Sequence, residues 1–207
     1  MELDFRKLDV KKLYDFSKEE EDLIFKIYDK LFKIYDIGVI DINNSPFYEF
    51  ESGEEIPLFN PKICYFITDK NKENSFFLFI ISKIEKLARS NRLPAQLESL
   101  QIWGMKKLNE DFGYISITKK KWADKIAGIL SRFNINFNDS DFRDFYVLAS
   151  DKYKATAFLD TQRKELIRKF PDGDFNLEIK NNILSFGIPK NLSEKNAYLI
   201  AEFLQKV

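Results

Sequence analysis

Histidine is absent from this sequence, and cysteine occurs once, at Cys64. A single thiol forms no intrachain disulfide. Without histidine, neither the usual Cys/His zinc spacings nor the Ser/His and Cys/His pairs of nucleophilic catalysis can be assembled. Glycine is scarce, 7 in 207 residues, and neither the G-x-x-x-x-G-K-S/T nor the G-x-G-x-x-G phosphate cradle is present. The longest apolar run, residues 76–81, is far shorter than the roughly 20 residues a membrane-spanning helix needs. Residues 1–15 alternate charged with isolated apolar side chains and lack the apolar stretch of a secretory signal. These absences predict a cytoplasmic protein without membrane insertion that works with no cofactor. Arginine makes up only 7 of the 33 basic residues, and the lysine-, phenylalanine- and isoleucine-rich usage fits an AT-rich prokaryotic genome rather than any particular function.

What is present suffices for a packed core. Apolar residues make up 44% of the chain and aromatics 15%, and the 32% that are charged are interspersed among them, which separates the chain from disordered sequences. The zero net charge hides an uneven distribution. Residues 1–60 carry 8 basic and 15 acidic side chains, residues 61–137 carry 14 basic and 7 acidic, and residues 138–207 carry 11 of each. Either the acidic part packs beside the basic middle, or the basic middle meets an anionic partner. Sign asymmetry without clustered arginine favours packing.

Ser17-Lys18-Glu19-Glu20 has the form of a capping box and predicts a helix start. Leu23, Ile24, Ile27, Tyr28, Leu31, Phe32 and Tyr35 continue it as one apolar face up to Gly38. Residues 41–61 hold Asn43, Asn44, Ser45, Pro46, Gly53, Pro57 and Pro61, a density of turn formers that marks an internal boundary. It divides an acidic helical segment, 1–60, from an α+β domain, 61–207, unless the two form one continuous domain. Ile63, Tyr65 and Ile67 alternate as a buried strand. From Ser75, the residues Phe77, Ile80, Ile81, Ile84, Leu87 and Ala88 fit a helical face, although the start also reads as a strand. Leu100, Ile102 and Met105, then Tyr114, Ile115 and Ile117, flank an Asn109-Glu110-Asp111 corner and predict a hairpin. Beyond it the pattern predicts a helix over 119–130, strands over 132–137 and 145–149, and a helix over 155–169. After a turn at Pro171-Asp172-Gly173 come strands over 174–180 and 183–188, joined by Asn181-Asn182, and a last helix capped by Ser193. No internal repeat is present. The order of elements predicts an α+β fold, a mostly antiparallel sheet with flanking helices.

Two sets of residues could carry chemistry. Lys119, Lys120, Lys121 and Trp122, with Lys106 and Lys107 upstream, combine cations with an aromatic ring, as single-strand nucleic-acid binders do. Trp122 also shares helical spacing with Ile126 and Ile129, which favours a core position and a solvated lysine cluster. Asp139, Asp141 and Asp144 form the one carboxylate group suited to a magnesium-type metal. Asp139-Ser140-Asp141 opens like a calcium loop, but Asp144 and Ser150 stand where that loop needs glycine and glutamate, so helix capping is the favoured reading. Tyr28, Tyr35, Tyr65 and Tyr146 lie in apolar periodic segments and read as core. Cys64, between Ile63 and Tyr65, reads as an inert buried thiol.

Residues 137–186 resemble the carboxy-terminal part of an uncharacterised bacterial family of small membrane-anchored proteins of unknown function. The likeness is carried by residues 141–147 (DFRDFYV), Asp151, Ala155, Phe158-Leu159, Leu166-Ile167, Phe175 and residues 179–184 (IKNNIL). It implies an acidic-aromatic stretch followed by a strand, a helix and a β-hairpin, and no catalytic motif. The chain departs from that family in having no membrane span and in carrying Asp160-Thr161 in place of a proline-containing helix start. The leading expectation is a non-enzymatic binding or interaction module for a protein partner. The alternative is a nucleic-acid-associated protein using residues 106–122, and the third is a metal-dependent enzyme using the 139–144 carboxylates.

Overall fold

The computed structural model describes residues 16–51, 60–86, 96–119 and 142–207. In these residues the chain is an α+β fold around one eight-stranded antiparallel sheet, in the order β1-β2-β3-β4-β8-β7-β5-β6. The strands are β1 (Asp36–Ile40), β2 (Asn60–Thr68), β3 (Ser75–Lys86), β4 (Gln96–Lys107), β5 (Tyr114–Lys119), β6 (Phe145–Ala149), β7 (Asn176–Lys180) and β8 (Ile183–Gly187). The described α-helices are α1 (Lys18–Phe32), α2 (Phe47–Glu51), α3 (Lys152–Phe158), α4 (Thr161–Arg168) and α5 (Glu194–Lys206), and a short 3-10 turn, Ile42–Asn44, precedes α2.

The capping box at Ser17 forms as its sequence predicts. Ser17 Oγ accepts from the Glu20 amide at 3.3 Å, and Glu20 Oε2 accepts from the Ser17 amide at 2.8 Å. The helix stops at Phe32, earlier than its apolar face suggests, and Gly38 lies inside β1, which pairs with β2. Period counting extended the helix because Tyr35 continues the apolar spacing. Tyr35 is buried, but past the helix end, where its hydroxyl donates to Gln205 Oε1 of α5 at 3.0 Å.

The largest departure from expectation is residues 75–86, which form the strand β3 and no helix. Phe76, Leu78 and Ile80 are buried against α1 and α5 on one face of the sheet, while Phe79 and Ile81 are buried on the other. A central strand covered on both sides is apolar at every position, so helical spacing can be found in it as readily as strand spacing. The predicted hairpin between β4 and β5 does not form either. The β7–β8 hairpin inserts between them, with Asn181 at φ +58° in its turn. Its carbonyls accept from the connecting segment, Leu108 N to Asn182 O at 2.7 Å and Phe112 N to Asn181 O at 2.8 Å. The helix expected over 155–169 is two helices. Asp160 caps the second, accepting from the Arg163 amide at 2.8 Å, and breaks the run after Leu159. The helix over 119–130 and strand over 132–137 lie almost wholly outside the described residues.

On the helical face, α5 crosses β3, β4 and β8 and packs beside α1. Gly104 permits this approach, since a Cβ there would overlap Leu204 Cδ1. The opposite face is covered in part by Ile42, Phe47 and Phe50, which pack on Cys64, Phe79, Trp103, Met105 and Ile183. At the seam between the two halves of the sheet, Gly187 faces Trp103 in register, and a Cβ at Gly187 would fall inside the indole. Gly187→Ala is therefore expected to lower stability by about 1–3 kcal/mol, the usual cost of overpacking. Urea unfolding measures it, and an unchanged midpoint would show that the indole can move aside.

Candidate functional site

Among the described residues, Lys106 and Lys107 border one recess, and the other sequence-predicted site residues do not join them. Strand alternation sends Lys106 and Lys107 to opposite faces of the sheet. Lys106 lies on the helical face, where its ammonium donates to Leu204 O in the last turn of α5 at 2.9 Å. Lys107 pairs with Glu49 of α2 at 3.6 Å. Lys119 lies against Gly173, where a Cβ would sit 3.2 Å from Lys119 Cδ. Lys120, Lys121 and Trp122 lie outside the described residues, as do Asp139 and Asp141, and Asp144 is exposed. No group of three or more Asp, Glu, His or Cys side chains that could hold a metal occurs among the described residues.

Two recesses are bounded instead by α4 and the end of α5. The first is a groove of about 360 Å³ between the two helices. Its apolar lining is Leu166 of α4, Phe170 and Pro171 after it, and Leu199 and Phe203 of α5. Phe203 is fully buried and stacks on Phe186 of β8 with centroids 3.8 Å apart, while Phe170 meets both rings edge-on, at 4.9 and 5.7 Å. The groove thus opens directly onto the aromatic core. Its rim is charged but internally neutralised, since Lys169 pairs with Glu165 and Lys206 with Glu202, each at 2.6 Å one helical turn apart.

The second recess is a polar cleft of about 390 Å³ at the end of β4, lined by Glu73, Ser75, Lys106, Asn109, Glu110 and Arg163 among others. Burial pulls the Lys106 ammonium below the usual lysine range and the neighbouring Arg163 adds to this, while Asp69 acts in the opposite sense. Arg163 is held over the Phe158 and Phe112 rings at 5.0 and 5.9 Å. Its Nη1 donates to Phe158 O and Asp160 Oδ2, both at 3.2 Å.

Arg163, Leu166, Phe170, Leu199 and Phe203 escape a reading based on motifs. The available signal is the width of the apolar arc. Leu166 and Phe170, and Leu199 and Phe203, are four apart at the edge of the buried stripe, so Leu166, Phe170 and Leu199 stay half-open above the buried Phe203 once the stripe itself is packed.

The remaining polar groups in the core are chemically quiet. Burial pushes the Cys64 thiol up to about 12, with the Ser45 side chain opposing and Asp41 adding. Tyr65 is 1% exposed and its hydroxyl has no hydrogen-bond partner among the described residues.

No protein-family model matches the chain, and no curated protein matches it. The likeness of residues 137–186 noted above therefore rests on the sequence alone. Among solved structures, the mycobacterial trehalose monomycolate transport factor A, TtfA, is similar over 83% of this chain and 84% of that chain, with 9% identity and a TM-score of 0.49. That likeness carries no statement about activity. No helix among the described residues is long and apolar enough to cross a membrane.

Two core predictions follow from these environments. An orphaned buried hydroxyl costs about 1–3 kcal/mol, so Tyr65→Phe should leave stability unchanged or raise it by about 1 kcal/mol in urea unfolding; a loss would reveal a partner for the hydroxyl. The Cys64 proton is held more tightly folded than unfolded, so its contribution to stability is present below the unfolded pKa of 9.0 and falls as pH rises from there towards about 12. Between pH 8 and 10.5 the urea midpoint should drop, and Cys64→Ala should lessen the drop; equal drops in both proteins would exclude the thiol as its source.

Proposed function

We propose that this chain is a non-enzymatic binding module that docks an amphipathic helix of a protein partner into the groove between α4 and α5. The observation that carries the reading is the gap in the helical layer. Among the described residues, the layer of helices on this face of the sheet is broken between α4 and α5, where Leu166, Phe170, Leu199 and Phe203 line an opening above the aromatic core. A third helix laid there would restore the layer, with its apolar residues at three- and four-residue spacing entering the groove.

The rim charges say what kind of helix fits. Each wall presents an acidic residue and a basic one already paired with each other, so the rim offers no net charge to a strongly anionic or cationic ligand. The attraction available is apolar burial, worth about 25 cal/mol per Å² of surface removed from water, and the partner's flanking residues should be mixed in sign. A reducing, cytoplasmic setting suits the single thiol and remains part of the proposal.

Photo-crosslinking tests it. A benzoylphenylalanine replacing Leu199 in the groove, expressed in the native organism, should capture a partner segment whose mass-mapped sequence has apolar residues at helical spacing. The same probe replacing the exposed Tyr153, which is not part of the groove lining, should not capture it. Capture of the same segment from both positions would sink the reading, as would a captured segment without helical periodicity or a cross-link only to this chain itself.

A further inference from the structure

The polar cleft is independent of the groove's proposed occupant, and its chemistry is different. The Lys106 ammonium has three N–H donors, of which one is used among the described residues, by Leu204 O. It forms no ion pair among the described residues, although it is half-buried. Arg163 engages only Nη1, with Phe158 O and Asp160 Oδ2, so Nη2 and Nε have no partner among the described residues. Two cations thus line one recess, close enough for Arg163 to lower the ammonium's proton affinity. Asp69 offsets only part of the cost of burying the Lys106 ammonium, and an incoming anion would recover more of it through charge-assisted hydrogen bonds.

We propose that the cleft at the end of β4 binds a single carboxylate, held between the Lys106 ammonium and the free edge of the Arg163 guanidinium. Arg163 is preorganised for this, because stacking on Phe158 and Phe112 and the two Nη1 contacts fix its plane before any ligand arrives. The Ser75 hydroxyl and the Asn109 amide line the same recess and can donate to a second oxygen. The lining also sets an upper limit on ligand charge. Glu73 and Glu110 share the cleft and Asp160 pairs with Arg163, so a dianion such as a phosphate monoester would meet stronger repulsion than a single negative charge does. A volume of about 390 Å³ admits a small organic acid or the last residue of a peptide, both of which carry the same group.

The test is an NMR titration of the 15N-labelled full chain with sodium acetate, against sodium chloride at matched ionic strength. Saturable shifts are expected at the amides of Ser75, Lys106, Lys107 and Asn109 with acetate and not with chloride. Lys106→Met should weaken acetate binding at least tenfold. Arg163→Gln should do the same while leaving the contact to α5 intact, so it serves if the first variant fails to fold. Lys70→Met, at a residue that pairs with Asp36 and does not line the cleft, should bind as the parent does. An N-acetylated dipeptide as free acid and as amide separates the sources. Tighter binding of the acid than of acetate assigns the site to a peptide end, and equal binding assigns it to a free small acid. Non-saturating shifts, equal shifts with chloride, binding undiminished in both variants, or inorganic phosphate binding more tightly than acetate would each overturn the proposal.

Discussion

The stack of Phe186 on Phe203, with centroids 3.8 Å apart and planes 13° from parallel, fixes α5 to β8, the strand through which the two halves of the sheet meet. Phe170 closes on both rings edge-on, and Phe175 leans on Phe186 at 5.5 Å and on Phe145 of β6 at 6.1 Å. One connected set of rings thereby joins α5, the connection after α4, the central strand and the far end of the sheet. Each such pair contributes about 0.5–1.5 kcal/mol beyond the area it buries, and the directions of the contacts differ, so the set resists sliding as well as separation. Gly104 completes the constraint from below by letting α5 sit directly on β4.

A helix held this firmly has a well-placed final turn, and both recesses are built on that turn. Phe203, Glu202 and Lys206 look into the groove, while Leu204 O receives Lys106 and Val207 borders the cleft. The helix α4 divides in the same way, with Leu166 on the groove side and Arg163 on the cleft side. The apolar groove and the polar cleft are therefore built on the same two helices. The rigidity of the aromatic set makes the two surfaces preformed, which reduces the ordering cost of filling either.

The features that could be read from the sequence were those decided locally. The capping box at Ser17, the cap at Ser193, the Asn181-Asn182 turn and the alternation of β6 each depend on residues within a few positions of one another, and each forms. The α+β class followed from their order. Misread features were those decided by distant partners. Residues 75–86 become a strand because α1 and α5 cover one side and residues 42–50 part of the other. The β4–β5 hairpin gives way to an insertion arriving from seventy residues later in the chain, and no local spacing encodes that. The recesses were invisible for the same reason: Arg163 reads as one more charged residue on a helix until Asp160 breaks the run and Phe112 and Phe158 arrive beneath it.

The charge asymmetry along the chain illustrates how a sequence observation can be sound and still need geometry to resolve it. Ion pairs Lys70–Asp36 at 2.8 Å and Lys107–Glu49 at 3.6 Å join the basic middle to the acidic first part. Both are exposed and worth little energetically, but they show that packing neutralises part of the asymmetry. Lys106 differs from Lys107 by one position, and in a strand one position is the other face. It passes beneath α5, where the acidic first part supplies no partner among the described residues, and it meets a backbone carbonyl and a second cation. Strand alternation thus separates two adjacent lysines into a neutralised surface residue and a half-buried cation with donors to spare. The second is the one on which the proposed carboxylate site rests.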